Sequence, residues 1–287
     1  MSDPSYRLLQ PGCQTTAVVF ASPHSGRDYP AAFLRQSVLD ETTIRSSEDA
    51  FVDQLLDVVP GLGAPLLAAV APRAYIDLNR AADELDPALV EGIGRSGHNP
   101  RVTSGLGVVP RVVANGRPIY RGMIPLAEAQ KRIATCWHPY HDRLQDLLLA
   151  TRSRFGQAIL VDFHSMPHEA IDSIASLGVR RPDIVLGDRF GASAGPEVVE
   201  RIEDAFRAAG LRVMRNAPFA GAYIVQTYGR PSIRQHAVQV EVDRALYMNE
   251  REIRPNGNFD GFKRLLSGVL AEIVGIGEPK ARPLAAE

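Results

Sequence analysis

Residues 158–167 read AILVDFHSMP, and residues 15–26 read TTAVVFASPHSG. Each opens with a short apolar run and stops at a histidine beside a proline. Continuous apolar runs of this length predict strands buried on both faces of a sheet, here over 15–21 and 158–163. Outward from the second run, residues 127–155 carry Ile133, Trp137, Leu144 and Leu148 at core positions of a long helix, which Pro139 should kink or split. Downstream, 183–186 predicts a strand ending at Gly187 and Asp188. Residues 197–209 form an amphipathic helix that Gly210 can end, and 211–214 another strand before the loop NAPFAGAY (216–223). Residues 237–243, AVQVEVD, alternate: Val238, Val240 and Val242 face one way, and Gln239, Glu241 and Asp243 the other. A last helix covers 262–273, with a polar tail from Glu278. Upstream, 47–59 predicts a helix capped by Ser47 and ended by Gly61, with Phe51, Leu55 and Val58 on one face. Residues 66–78 predict one or two strands ending at Asn79 and Arg80. The aperiodic stretch 81–122 is long for a loop, which points to function or to small elements of its own.

Strands separated by helices predict an α/β fold with a mainly parallel or mixed sheet and helices on both faces. In such sheets, ligands bind just beyond the carboxyl ends of the strands. His24, Asn79, His164 and Asp188 all follow predicted strands, which gathers them into one candidate site.

The bulk numbers narrow the partners. The 287 residues suffice for one large domain, expected to span 1–287. Lys and Arg total 32 against 33 Asp and Glu, a formal charge of −1, so no polyanion-binding surface is implied and neither nucleic acid nor an acidic membrane is expected as a partner. Residues 1–10 lack an apolar signal core, and the uncharged stretch 58–72 is too short and too broken by proline and glycine to cross a bilayer. Two distant cysteines, Cys13 and Cys136, imply no disulfide framework and fit a reducing cytoplasm.

The chemistry-bearing residues favour a metal-assisted hydrolase. A neutral imidazole at a strand end can ligate a metal, and His24 and His164 share that setting. A catalytic zinc usually takes three protein ligands and keeps one position open. Glu48 and Asp49 are both candidates for the third, although acids in a first helical turn are also favoured by the helix dipole. Glu241 is either on a solvated face or a general base aimed into a site. Among Arg73, Arg80, Arg121, Arg230 and Arg244, the pair Asn79–Arg80 is best placed to hold a carboxylate. His138 and His141, beside Trp137 and Tyr140, read as packing residues. No nucleophile elbow, Walker loop or dinucleotide fingerprint is present in the sequence.

These motifs together resemble the N-formylglutamate amidohydrolases. The resemblance rests on SPHSG (22–26), EDAFVDQL (48–55), DLNR (77–80), GLGVVPR (105–111), HPYHDRL (138–144), DFHSMP (162–167), NAPFAGAYI (216–224) and QVEVDRALYMNE (239–250), in that order. It implies a three-layer α/β/α fold with a mixed central sheet, like that of zinc carboxypeptidases. It also implies one zinc ion on His24, Glu48 or Asp49, and His164, with Glu241 as general base. Asn79, Arg80, Arg244 and Tyr223 would bind substrate, the two arginines taking glutamate's carboxylates. The implied reaction is hydrolysis of N-formyl-L-glutamate to formate and L-glutamate, as in histidine breakdown. Deacylation of another N-acyl amino acid is the alternative enzyme, and a non-catalytic binding module the alternative class. The oligomeric state stays open. One departure is noted: the family's Gly-Gly-Tyr is Gly221–Ala222–Tyr223 here, which bears on loop geometry if the second position needs a positive φ.

Overall fold

The computed structural model describes residues 5–94, 99–172 and 180–278, so the tail beyond 278 lies outside the described residues. Seven strands form one mixed sheet: β1 (Tyr6–Leu9), β2 (Val18–Ser22), β3 (Leu66–Ala69), β4 (Ala158–Met166), β5 (Ile184–Gly187), β6 (Val213–Arg215) and β7 (Gln235–Asp243). Their order is β1-β3-β2-β4-β7-β5-β6. β3, β2, β4 and β7 run parallel, whereas β1 at one edge and the β5–β6 pair at the other run against them. The helices are α1 (Ala31–Gln36), α2 (Val52–Leu55), α3 (Pro100–Thr103), α4 (Leu126–Arg132), α5 (His138–Phe155), α6 (Pro196–Ala208), α7 (Tyr223–Tyr228) and α8 (Phe259–Ile276).

The apolar runs are continuous because the sheet is covered on both sides. Val18, Phe20, Ile159, Val161, Val238, Val240 and Val242 pack on one face with α6 and α8. Val19, Ala21, Leu160 and Ala237 pack on the other with α4, α5 and α7. The alternation expected in 237–243 is therefore present, but all nine residues of β7 are buried and neither face is solvated.

Four expectations are corrected. The predicted helix over 47–59 is a single turn, Val52–Leu55, because Phe51 before it takes the left-handed conformation (φ 67°), which costs about 1–2 kcal/mol. The chain thereby turns Asp49 inward, and no helix dipole accounts for Glu48 or Asp49. The strand predicted over 66–78 ends at Ala69, so Asn79 and Arg80 sit in a loop shaped by Asp77, whose carboxylate accepts the Asn79 N–H at 2.8 Å. Pro139 does not split the helical run 126–155. A π-helical turn, Ile133–Trp137, precedes it and loosens the turn that the proline ring would crowd. Lastly, β5 is antiparallel to β7, so Asp188 emerges towards the other end of the sheet, where it accepts a hydrogen bond from Asn216 at 2.6 Å.

Candidate active site

His24 lies two residues past β2, and His164 lies within β4, in register with Glu241 on β7. Asp162, two residues before His164, shares its side of the strand and pairs in register with Gln239. These residues meet at the carboxyl ends of the parallel strands.

Three ligand atoms converge there. His24 Nδ1 and His164 Nδ1 are 3.1 Å apart, and Asp49 Oδ2 is 3.0 Å from the latter and 3.5 Å from the former. A tetrahedral zinc with ligand bonds of about 2.0–2.1 Å sets neighbouring ligands about 3.4 Å apart. Both imidazoles turn their other nitrogen to a buried carboxylate: His24 Nε2 donates to Asp77 Oδ1 at 2.8 Å, and His164 Nε2 to Asp162 Oδ2 at 3.0 Å. Those bonds leave the two Nδ1 lone pairs facing each other and an anion, an arrangement that a cation relieves. Asp162 is fully buried, and among the described residues its Oδ1 has no hydrogen-bond partner, so its charge is balanced chiefly through His164. Burial alone would depress the His164 pKa, yet Asp162 and Asp49 outweigh it and hold the ring well above the usual value. The donor set fits a metal ion. Glu48 is not part of it: Arg45 clasps its carboxylate at 3.0 and 3.1 Å, and Tyr29 donates to it at 2.6 Å.

The cluster opens into a cavity of about 680 Å³, in the range of small-ligand sites. Glu241 lines it, and Gln239 Nε2 donates to Glu241 Oε1 at 2.8 Å. Burial, assisted by the Asp49 charge, pushes the Glu241 carboxyl up to about 7 against the opposing pull of His164, Arg73 and Arg244. Arg80 is almost wholly buried, with Nε on the Leu106 carbonyl (3.0 Å), Nη1 on that of Asn79 (2.9 Å), and its nearest carboxylate oxygen, on Glu84, 4.0 Å away. Its charge is thus poorly compensated, and burial lowers its pKa. Asn79 Oδ1 accepts the Ile224 N–H at 2.8 Å. The loop is braced from behind: Trp137 Nε1 donates to the Arg80 carbonyl and His141 Nε2 to that of Leu78, each at 2.9 Å. His141 therefore packs and bonds as the sequence implied.

The chain belongs to the N-formylglutamate amidohydrolase family. The family's pattern matches residues 16–248. The chain is 34% identical over 241 residues to an N-formylglutamate deformylase of Pseudomonas aeruginosa, covering 82% of this chain and 83% of that one. It is 34% identical over 242 residues to a protein of the same name from Pseudomonas putida. The crystal structure of N-formylglutamate amidohydrolase from Ralstonia eutropha JMP134 superposes with a TM-score of 0.88 at 35% identity, covering 95% of this chain and 98% of that one.

Two residues expected to contact substrate are engaged otherwise, Arg244 at the cavity lining and Tyr223 outside it. Arg244 is spent on the site itself, with Nε on Ser165 Oγ (3.1 Å), Nη1 on the Ser46 carbonyl (3.3 Å) and Nη2 on Asp49 Oδ1 (3.1 Å). Tyr223 packs against both Trp137 and His141, outside the cavity lining. The Ala222 departure is harmless to the backbone, because Ala222 has φ −116° and the positive φ falls on Gly221 (104°). Three supporting residues were missed in the sequence, although Asp162 and Gln239 each stand two positions from a chosen residue on the same strand face. The third, Asp77, stood inside a quoted motif without a role.

Proposed function

We propose that this chain hydrolyses N-formyl-L-glutamate to formate and L-glutamate, as in histidine breakdown, using one zinc ion held by His24, Asp49 and His164. The observation that carries the reading is the His24–Asp49–His164 convergence in a cavity that also holds Glu241 and the poorly compensated Arg80. When bound, zinc polarises the formyl carbonyl and lowers the pKa of a water. Glu241 takes the proton of the attacking water and passes it to the leaving amine, a role suited to a carboxylate whose pKa is near 7. Gln239 fixes the orientation of Glu241. Arg80 holds the substrate's α-carboxylate. Arg73, which gives its Nε to Asp77 at 3.1 Å and lines the cavity, supplies positive charge to the developing oxyanion. Arg244 and Ser165 position Asp49. The whole chain acts as one catalytic domain on a small molecule, and two free cysteines suit a reducing cytoplasm. Among the described residues, no helix is long and apolar enough to cross a membrane.

The deciding assay measures L-glutamate release by purified protein, before chelation, after it, and with zinc restored. Activity lost and regained with the metal supports the reading. Metal-loaded protein that releases no glutamate rejects the substrate. One feature favours a second reading, deacylation of a larger N-acyl amino acid. A further cavity of about 610 Å³ adjoins the first, sharing Ser46, Asn115, Pro167 and Arg244. A panel of N-formyl, N-acetyl and longer N-acyl glutamates separates the two by kcat/KM.

A further inference from the structure

The proposed substrate carries two carboxylates, and with Arg244 engaged by Asp49 the second lacks a holder; the inference below rests on that substrate reading. Four arginines line the cavity, Arg73, Arg80, Arg101 and Arg244, against three carboxylates, Asp49, Asp77 and Glu241. Arg73 is paired with Asp77, and Arg244 with Asp49. Arg101 differs. Its side chain is exposed at the cavity wall and, among the described residues, makes no ion pair or side-chain hydrogen bond.

Its backbone, by contrast, is firmly placed. Asn99 Oδ1 accepts the N–H groups of Arg101 (3.0 Å) and Val102 (3.4 Å), capping α3, and Pro100 fixes the first turn. Arg111, anchored on Asp86 at 2.7 Å, reaches the Thr103 carbonyl at 3.3 Å. Leu106 then ties the two candidate cations together. Its N–H donates to the Arg101 carbonyl at 2.9 Å, and its own carbonyl accepts Arg80 Nε at 3.0 Å. The backbone that carries Arg101 is thus tied to Arg80 on one wall. The Arg101 charge also contributes to depressing the Arg80 pKa, after the larger effect of burial, which places the two within electrostatic reach.

We propose that Arg101 selects dicarboxylate substrates, pairing with the side-chain carboxylate of the N-formyl amino acid while Arg80 holds the α-carboxylate. The turn fixes where the side chain starts, and the guanidinium's planar fork suits a two-oxygen anion. The part of the aperiodic stretch that lines the cavity, residues 101–116, thereby gains a role as the specificity wall of the site.

The test compares N-formyl-L-glutamate with its neutral isostere N-formyl-L-glutamine, in the zinc-loaded native protein and in Arg101→Gln and Arg101→Lys. The native protein is expected to prefer the glutamate substrate. In Arg101→Gln that preference in kcat/KM falls roughly tenfold, the size of one charge-assisted hydrogen bond, mainly through KM. Arg101→Lys restores part of it. Calorimetry on the product is expected to show weaker L-glutamate binding in Arg101→Gln by a similar factor. An unchanged preference in Arg101→Gln overturns the inference, as does a native protein that does not distinguish the two substrates. A native protein inert on both defeats the substrate reading itself, and the inference with it.

Discussion

At the residue scale, the proposed mechanism separates side chains that touch the reacting atoms from those that hold them. Glu241 belongs to the first kind. Replacing it by Gln keeps the shape and the Gln239 contact but removes the base, so kcat should fall by about 10²–10⁴-fold while zinc content stays at the native level. Full turnover in a metal-loaded Glu241→Gln protein would remove it from the mechanism. Asp162 belongs to the second kind. Asp162→Asn is expected to weaken zinc binding by about 10–100-fold, because the His164 ring loses the anionic acceptor that fixes its tautomer and raises its basicity. Competition with a calibrated chelator reads this directly, and native affinity in the variant would show that the contact is incidental. These residues differed in how legible they were. His24 and His164 stood out because a histidine that ends a buried strand is conspicuous. Choosing Asp49 over Glu48 required the left-handed Phe51, which no local pattern announces. Arg101 sits in an aperiodic stretch and gave no signal.

At the scale of elements, the long helical run is a brace for the DLNR loop. Its π turn brings Trp137 onto the Arg80 carbonyl, and the following turn brings His141 onto that of Leu78. Burial lowers the His141 pKa to about 4 from 6.5. A depressed folded-state pKa means that the unfolded chain binds the extra proton first. The stabilising effect is therefore complete above about pH 6.5 and is lost as the pH falls towards 4, amounting to about 3 kcal/mol. Denaturant unfolding at pH 7 and pH 4.5, for the native chain and for His141→Gln, checks this. The native chain should lose more stability between those pH values than the variant, and equal losses would acquit His141. The aromatic surroundings of His141 made its packing role readable, but the π turn was not: Pro139 announces a disturbance without saying how the helix absorbs it.

At the scale of the molecule, the layer order followed from buried runs alternating with amphipathic helices, and those patterns are strong for β2, β4, β7, α6 and α8. Strand direction was not legible, since an alternating pattern reads the same both ways; the reversal of β5 and β6 comes from how the chain returns to the sheet. The edge strand β1 was passed over because YRLL is too short and mixed to register as one. A metal that binds only the folded chain should also stabilise it as a whole. Zinc at a hundred times its Kd should add about 2.7 kcal/mol, seen as a higher melting temperature that His164→Ala abolishes. A melting temperature indifferent to zinc in the native chain would argue against the site. The spacing of the three ligands along the chain adds a matter of timing. Residues 24 and 49 leave the ribosome more than a hundred positions before residue 164, so a nascent chain holds two of the proposed ligands over that stretch and gains the third only when β4 docks beside β2. Capture of the proposed metal would thus be tied to the meeting of β2 and β4 at the centre of the sheet. Truncated chains ending before β4 should bind zinc no better than two unconnected ligands would, and quality control that senses metal loading would be reading whether the central strands have met.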